Sequence, residues 1–152
     1  MRGINHVKVA VPTEDAEQMA LFRWAELQAG TYPELRLLFH IPNGGSRGKA
    51  EAGRFRAMGV KAGVPDLFLP VAHGSVHGLF IEMKRTKGGR VSKEQQQWMN
   101  QLWEQGYAAY VCCGWEQAAR TIKIYLTTDW AEETRKFIDD FGKGSLHIGR
   151  EG

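Results

Sequence analysis

The chain has 152 residues and a mass of 17.1 kDa, with 20 Lys and Arg against 17 Asp and Glu and 43% hydrophobic residues. That is enough chain for one core without metal or disulfide staples, and too apolar for wholesale disorder. The two cysteines, Cys112 and Cys113, are adjacent, which excludes a disulfide framework and a CxxC pair, and no apolar run is long enough to span a bilayer. The absence of a signal peptide or lipidation motif predicts a cytoplasmic protein with no membrane partner.

Charge is unevenly placed. Residues 47–93 hold ten basic against three acidic side chains, while the remainder holds ten against fourteen. A basic middle between acidic ends suits a polyanion such as a nucleic acid, although a solvated charged surface gives the same count.

In chain order, residues 14–29 read as a helix: Thr13 caps it, Glu14 and Asp15 sit in its first turn, and Gly30 stops it. Its apolar stripe is Ala20, Leu21, Trp24 and Leu27. Residues 35–41 are rich in large apolar side chains and stop at Pro42, which predicts a strand. A glycine-rich loop, residues 42–48, and a short basic helix, 49–58, follow. Residues 64–69 and 79–84 read as two strands joined by a hairpin connection, and 85–90 as a basic glycine-containing loop. Ser92 caps a helix to about residue 105, with Trp98, Met99, Leu102 and Trp103 on its apolar side. Residues 107–113 make another strand. Residues 115–126 suit a helix, although the end, Ile122 to Tyr125, is equally compatible with an extended segment. A last amphipathic helix would carry Trp130, Phe137, Ile138 and Phe141. The alternation predicts an α/β domain whose central mixed sheet is covered by helices on both faces.

Two acids interrupt this pattern. Asp66 lies in the apolar run Val64-Pro65-Asp66-Leu67-Phe68-Leu69, and Glu82 lies in Leu79-Phe80-Ile81-Glu82-Met83-Lys84. Alternation places Glu82 and Lys84 on one face of their strand. An uncompensated buried carboxylate is costly, so both acids are expected at a cleft or around a cation. Two carboxylates on neighbouring strands, with the Met83 backbone carbonyl as a third contact, suit a hard divalent metal, and Lys84 would reach the attacking water or the scissile phosphate. Taken alone, an ExK tripeptide is far more often a surface ion pair, because so short a motif recurs by chance.

Glu17 and Gln95 add to the pattern, because each stands in line with an apolar helical stripe and would point inward. Glu17 would supply a further carboxylate or position a water; Gln95 would bind a phosphate or orient the strand acids. The loop at 43–48 lets backbone N–H groups approach a phosphate beside Arg47, but it lacks the Lys-Ser/Thr of a nucleotide-binding P-loop, so no nucleotide cofactor is expected. The five histidines show no ligand spacing.

Together, Glu17, Ile41-Pro42-Asn43-Gly44-Gly45, Gly63-Val64-Pro65-Asp66-Leu67, Ile81-Glu82-Met83-Lys84, and Ser92-Lys93-Glu94-Gln95 followed by Gly106-Tyr107 resemble the virus-type replication-repair nuclease (VRR-NUC) family of the PD-(D/E)XK superfamily. The resemblance covers about residues 14–126. It implies a restriction-endonuclease-like core at 1–126, followed by a C-terminal helical extension and tail at 127–152. It further implies Mg²⁺- or Mn²⁺-dependent cleavage of DNA, with Asp66 and Glu82 as metal-binding acids, Lys84 as the catalytic lysine, and Glu17 and Gln95 completing the site. A chain of this size resembles the stand-alone phage and bacterial members, which act as homodimers on branched DNA such as Holliday junctions. Trp130, Phe137, Ile138 and Phe141 are then expected at a dimer interface. The expected DNA surface comprises Asn43, Arg47, Lys49, Arg54, Arg85, Lys87 and Arg90. The rival readings are a non-cleaving DNA-binding module of the same fold and a flap or nicking nuclease of the same superfamily.

Overall fold

The structure is a computed structural model that describes residues 10–42 and 49–128. Among these residues four helices and a four-stranded sheet alternate as α1 (Glu14–Gln28), β1 (Phe39–His40), α2 (Lys49–Ala57), β2 (Leu67–Leu69), β3 (Leu79–Lys84), α3 (Lys93–Glu104), β4 (Ala108–Cys113) and α4 (Trp115–Thr127). A 3₁₀ helix, Pro33–Leu37, precedes β1. The sheet order is β1-β2-β3-β4, antiparallel between the first two pairs and parallel between β3 and β4, with α3 as the crossover. This is the mixed, helix-flanked α/β architecture that the alternation predicts.

The local causes are visible at each terminus. Thr13 accepts the Ala16 N–H on its side chain and starts α1. Ser92 and Gln95 form a reciprocal capping box at α3: Ser92 Oγ accepts the Gln95 N–H (3.2 Å) and Gln95 Oε1 accepts the Ser92 N–H (2.8 Å). One face of the sheet, carrying Leu67, Leu69, Leu79, Ile81 and Met83, packs on α1 and α4 through Leu21, Ala25, Ala118, Ile122 and Tyr125. The opposite face carries Phe68, Phe80, Glu82 and Lys84 and receives Gln95 from α3. β3 is therefore covered on both sides, which is why it reads as a nearly continuous apolar run.

Three expectations change. The strand expected at 35–41 shrinks to two residues, because Pro33 starts a 3₁₀ turn that consumes Leu35 and Leu37. The α1 stripe is rotated: Glu17, Leu21 and Ala25 face the core, whereas Leu27 is 79% exposed. Residues 64–66 lie ahead of β2 rather than inside it, so Asp66 stands at the mouth of the sheet. The open choice at the end of α4 resolves as helix through Thr127, with Ile122 and Tyr125 buried and the Tyr125 hydroxyl donating to the Val71 carbonyl (2.5 Å). The amphipathic segment with Trp130, Phe137, Ile138 and Phe141 lies outside the described residues.

Candidate active site

Antiparallel register sets the acids side by side. Phe68 pairs with Phe80, and two residues further along each strand the same register sets Asp66 beside Glu82. Asp66 Oδ2 accepts the Met83 N–H at 2.8 Å. Lys84 turns its carbonyl to the β4 side, where Gly114 N–H donates to it (2.9 Å), so strand alternation turns the Met83 N–H and carbonyl toward Asp66. The Asp66 carbonyl is itself held by β1: it accepts the Ile41 N–H (2.7 Å) and the His40 Nδ1–H (2.8 Å).

Glu82 is 1% exposed, and its two oxygens have opposite surroundings. Oε1 accepts from Lys84 Nζ (2.6 Å) and from the Gln95 side-chain amide. Oε2 is buried with no hydrogen-bond partner among the described residues. A buried carboxylate oxygen without a donor costs roughly 1–3 kcal/mol or more, and a cation is the partner that would remove that cost. The Glu82 carboxyl is pushed up to about 7, chiefly by burial and further by the nearby Asp66 charge, against the Lys84 hydrogen bond, which pulls it down. Asp66 is also raised, by burial, against the lowering effect of the Met83 N–H. Burial by itself would lower Lys84, but its contact with Glu82 and the charges of Glu82, Glu14 and Asp66 outweigh that and hold the ammonium above its ordinary range.

Lys84 is only 6% exposed because the following loop folds back over its stem. A Cβ at Gly89 would stand 2.9 Å from Lys84 Cβ and 3.3 Å from its Cδ, so the close approach requires glycine. The rest of that loop, residues 85–90, is exposed, which puts Arg85, Lys87 and Arg90 in solvent beside the acids. Arg54 is exposed on α2. Asn43, Arg47 and the Lys49 side chain lie outside the described residues.

Glu17 is buried (4% exposed) as its place in the helical stripe predicts, but its Oε2 accepts the Trp115 N–H at the start of α4 (2.9 Å). It lines a cavity of about 400 Å³ with Thr86, Gly114 and Arg120, a recess whose lining does not include Asp66, Glu82 or Lys84. Gly114, at φ 87°, makes this junction: a Cβ there would lie 2.7 Å from the Thr86 methyl. Among the described residues no three His, Cys, Asp or Glu side chains converge as a ready-made metal cage. The helical acid that does approach the site is Glu14, whose Oε1 lies 4.0 Å from Lys84 Nζ. Sequence reasoning used Glu14 only as a first-turn acid; the sign of a second role is that it lies one helical turn before Glu17 on the same face. His40 was likewise missed, since a histidine that supports a backbone carbonyl needs no ligand spacing.

The donor set nevertheless fits one kind of ion. Magnesium keeps several waters and is usually held by one or two carboxylates plus substrate phosphate, and two carboxylates with a backbone carbonyl meet that requirement. A mixed sheet that brings two acids and a lysine together suits metal-assisted phosphodiester chemistry. The VRR-NUC domain family matches residues 13–116. A solved structure described as a "VRR_NUC domain protein" is 31% identical, covers 77% of this chain and 90% of its own, and superposes with a TM-score of 0.67. No functionally curated protein matches the chain. The chain belongs to the VRR-NUC family, whose domains are nuclease-type DNA-processing domains. Among the described residues no helix is long and apolar enough to cross a membrane.

Proposed function

We propose that this protein is a Mg²⁺- or Mn²⁺-dependent endonuclease that hydrolyses phosphodiester bonds in branched DNA and acts as a homodimer. The observation that carries the catalytic part is the asymmetry of Glu82: one oxygen is held by Lys84 and Gln95, and the other is buried with no hydrogen-bond partner among the described residues. Asp66, Glu82 and the Met83 carbonyl would hold the cation. When bound, such an ion lowers the pKa of a coordinated water and stabilises charge developing on the phosphate oxygens.

The remaining chemistry belongs to the chain. Gln95, fixed by its capping box, holds Oε1 of Glu82 and leaves Oε2 for the cation. The Met83 N–H fixes Asp66 by its side chain, and His40 of β1 and the following Ile41 fix it by its carbonyl. Lys84 brings a positive charge to the attacked phosphate, where it stabilises the negative charge of the transition state. Glu14, four ångströms from that ammonium, is the α1 carboxylate best placed to order a water, and Glu17 acts as a positioning residue through α4. Arg85, Lys87, Arg90 and Arg54 are proposed to neutralise flanking phosphates, together with Asn43, Arg47 and Lys49. A dimer would place two such sites on one junction for paired nicks.

The test is cleavage of labelled four-way junction, flap and linear duplex DNA with Mg²⁺, Mn²⁺ or EDTA, by wild type and Lys84→Ala. Metal-dependent junction nicking that falls about 100-fold or more in the variant is the expected result. Binding with no cleavage under any metal condition would instead make this a recognition module. Light scattering at micromolar concentration checks the dimer, and a monomeric mass would remove it.

A further inference from the structure

One feature of the acid-bearing sheet face has no part in the chemistry above. Phe39, Phe68 and Phe80 occupy consecutive register positions on β1, β2 and β3, forming an aromatic row across three strands. Phe68 and Phe80 are stacked (centroids 4.2 Å, interplanar 16°), and Phe39 meets Phe68 at 5.8 Å and 83°. Tyr107 packs edge-on against both Phe68 and Phe80 and closes the inner end. Among the described residues the outer end is open: Phe39 is 47% exposed on the edge strand of the sheet.

This row is the immediate neighbour of the acid row. Asp66, just ahead of β2, and Glu82 on β3 lie two residues beyond Phe68 and Phe80, about 6.6 Å along the chain direction by strand rise. We propose that Phe39, backed by the Phe68–Phe80 stack, is a stacking platform for an unpaired nucleobase of the DNA strand whose phosphate is presented to Asp66 and Glu82. The inference rests on the endonuclease reading and adds a determinant of substrate class. Any base offers a flat π face, so a rigid ring beside a phosphate site captures unpaired nucleotides without reading sequence. In a fully paired duplex the bases are already stacked on one another, so the platform favours flaps and other branched DNA with unpaired nucleotides over linear DNA. A second protein copy is the poorer occupant: one half-exposed ring is far less than the roughly 800 Å² per partner of a stable interface.

The experiment uses Glu82→Gln protein, which keeps the fold and stops cleavage, and a flap DNA carrying 2-aminopurine at the first unpaired position. Stacking on Phe39 should change the 2-aminopurine fluorescence on binding. With Phe39→Ala added, that change should vanish and flap affinity should fall about 5- to 150-fold, with affinity for a linear duplex of equal length unchanged. Phe39→Trp should restore both, which separates stacking from folding damage. Equal weakening on flap and duplex, or an unaltered fluorescence change in Phe39→Ala, would overturn the platform while leaving the nuclease reading intact. A shift in mass by light scattering in Phe39→Ala would assign the ring to a protein contact instead. No binding of any DNA by wild type would remove the nuclease reading and the platform together.

Discussion

The carboxylate of Glu17 in α1 accepts the backbone N–H of Trp115, the first residue of α4, across 98 positions of sequence. An acid at a helix N-terminus satisfies an otherwise orphaned donor and complements the helix dipole. Glu17 is thereby a bond between two core helices, while Glu14, one turn earlier, is the acid near Lys84. Glu17→Ala should cost about 1–3 kcal/mol, because a part-buried N–H loses its acceptor. Glu17→Gln, which still accepts, should cost less and keep cleavage. Glu14→Gln should leave the melting temperature unchanged and reduce cleavage. Paired melting and nuclease assays decide the matter; loss of cleavage in a normally stable Glu17→Gln would return Glu17 to the reacting centre.

Acidity gives a second prediction. Glu82 titrates near 7 in the folded, metal-free chain against an ordinary 4.5, with burial as the main cause. Between about 4.5 and 7 the folded state therefore binds more protons than the unfolded one, so this group makes stability fall as pH rises through that window, with the full penalty above 7. In EDTA, wild type should lose melting temperature between pH 5 and 8 relative to Glu82→Gln. Proton and cation compete for the same carboxylate, so Mg²⁺ should raise the wild-type melting temperature more at pH 8 than at pH 6. A Mg²⁺ shift of equal size in Glu82→Gln would show that the ion binds elsewhere.

Gln95 performs two tasks with one side chain, since its Oε1 caps α3 and its amide nitrogen holds Glu82. Gln95→Glu separates them. Glutamate preserves the capping box, so helix stability should change by less than about 1 kcal/mol, but it replaces a donor to Glu82 with a like charge. Cleavage should drop at least tenfold, with the pH dependence displaced upward. Ser92→Ala is the complement: it should cost about 1 kcal/mol from the lost cap, with a smaller effect on turnover. Unchanged cleavage in Gln95→Glu would mean that Glu82 needs no donor from α3.

The rotation of α1 can be checked by stability alone. Leu21 is fully buried and Leu27 is 79% exposed. Leu21→Ala should cost about 2–5 kcal/mol, and Leu27→Ala should stay within about 0.5 kcal/mol in chemical denaturation. Comparable losses at both positions would mean that Leu27 is covered in solution.

The sequence by itself determined the elements with strong local causes: α1 with its Thr13 cap, α3 with its Ser92 and Gln95 box, and β3 with unbroken apolar residues around Glu82. It also singled out Asp66, Glu82 and Lys84, because a charge inside an apolar run is expensive enough to demand a reason. Tertiary structure decided everything that depends on which partner a polar atom meets. Periodicity turns Glu17 inward but does not reveal that a helix N-terminus 98 residues away takes its carboxylate, and the same inward turn leaves Glu14 free to face Lys84. The 3₁₀ turn at Pro33–Leu37 and the aromatic row from Phe39 to Phe80 follow the same rule. Propensity and pattern act over a few residues, whereas register, strand order and hydrogen-bond partnership are fixed only when distant segments pack.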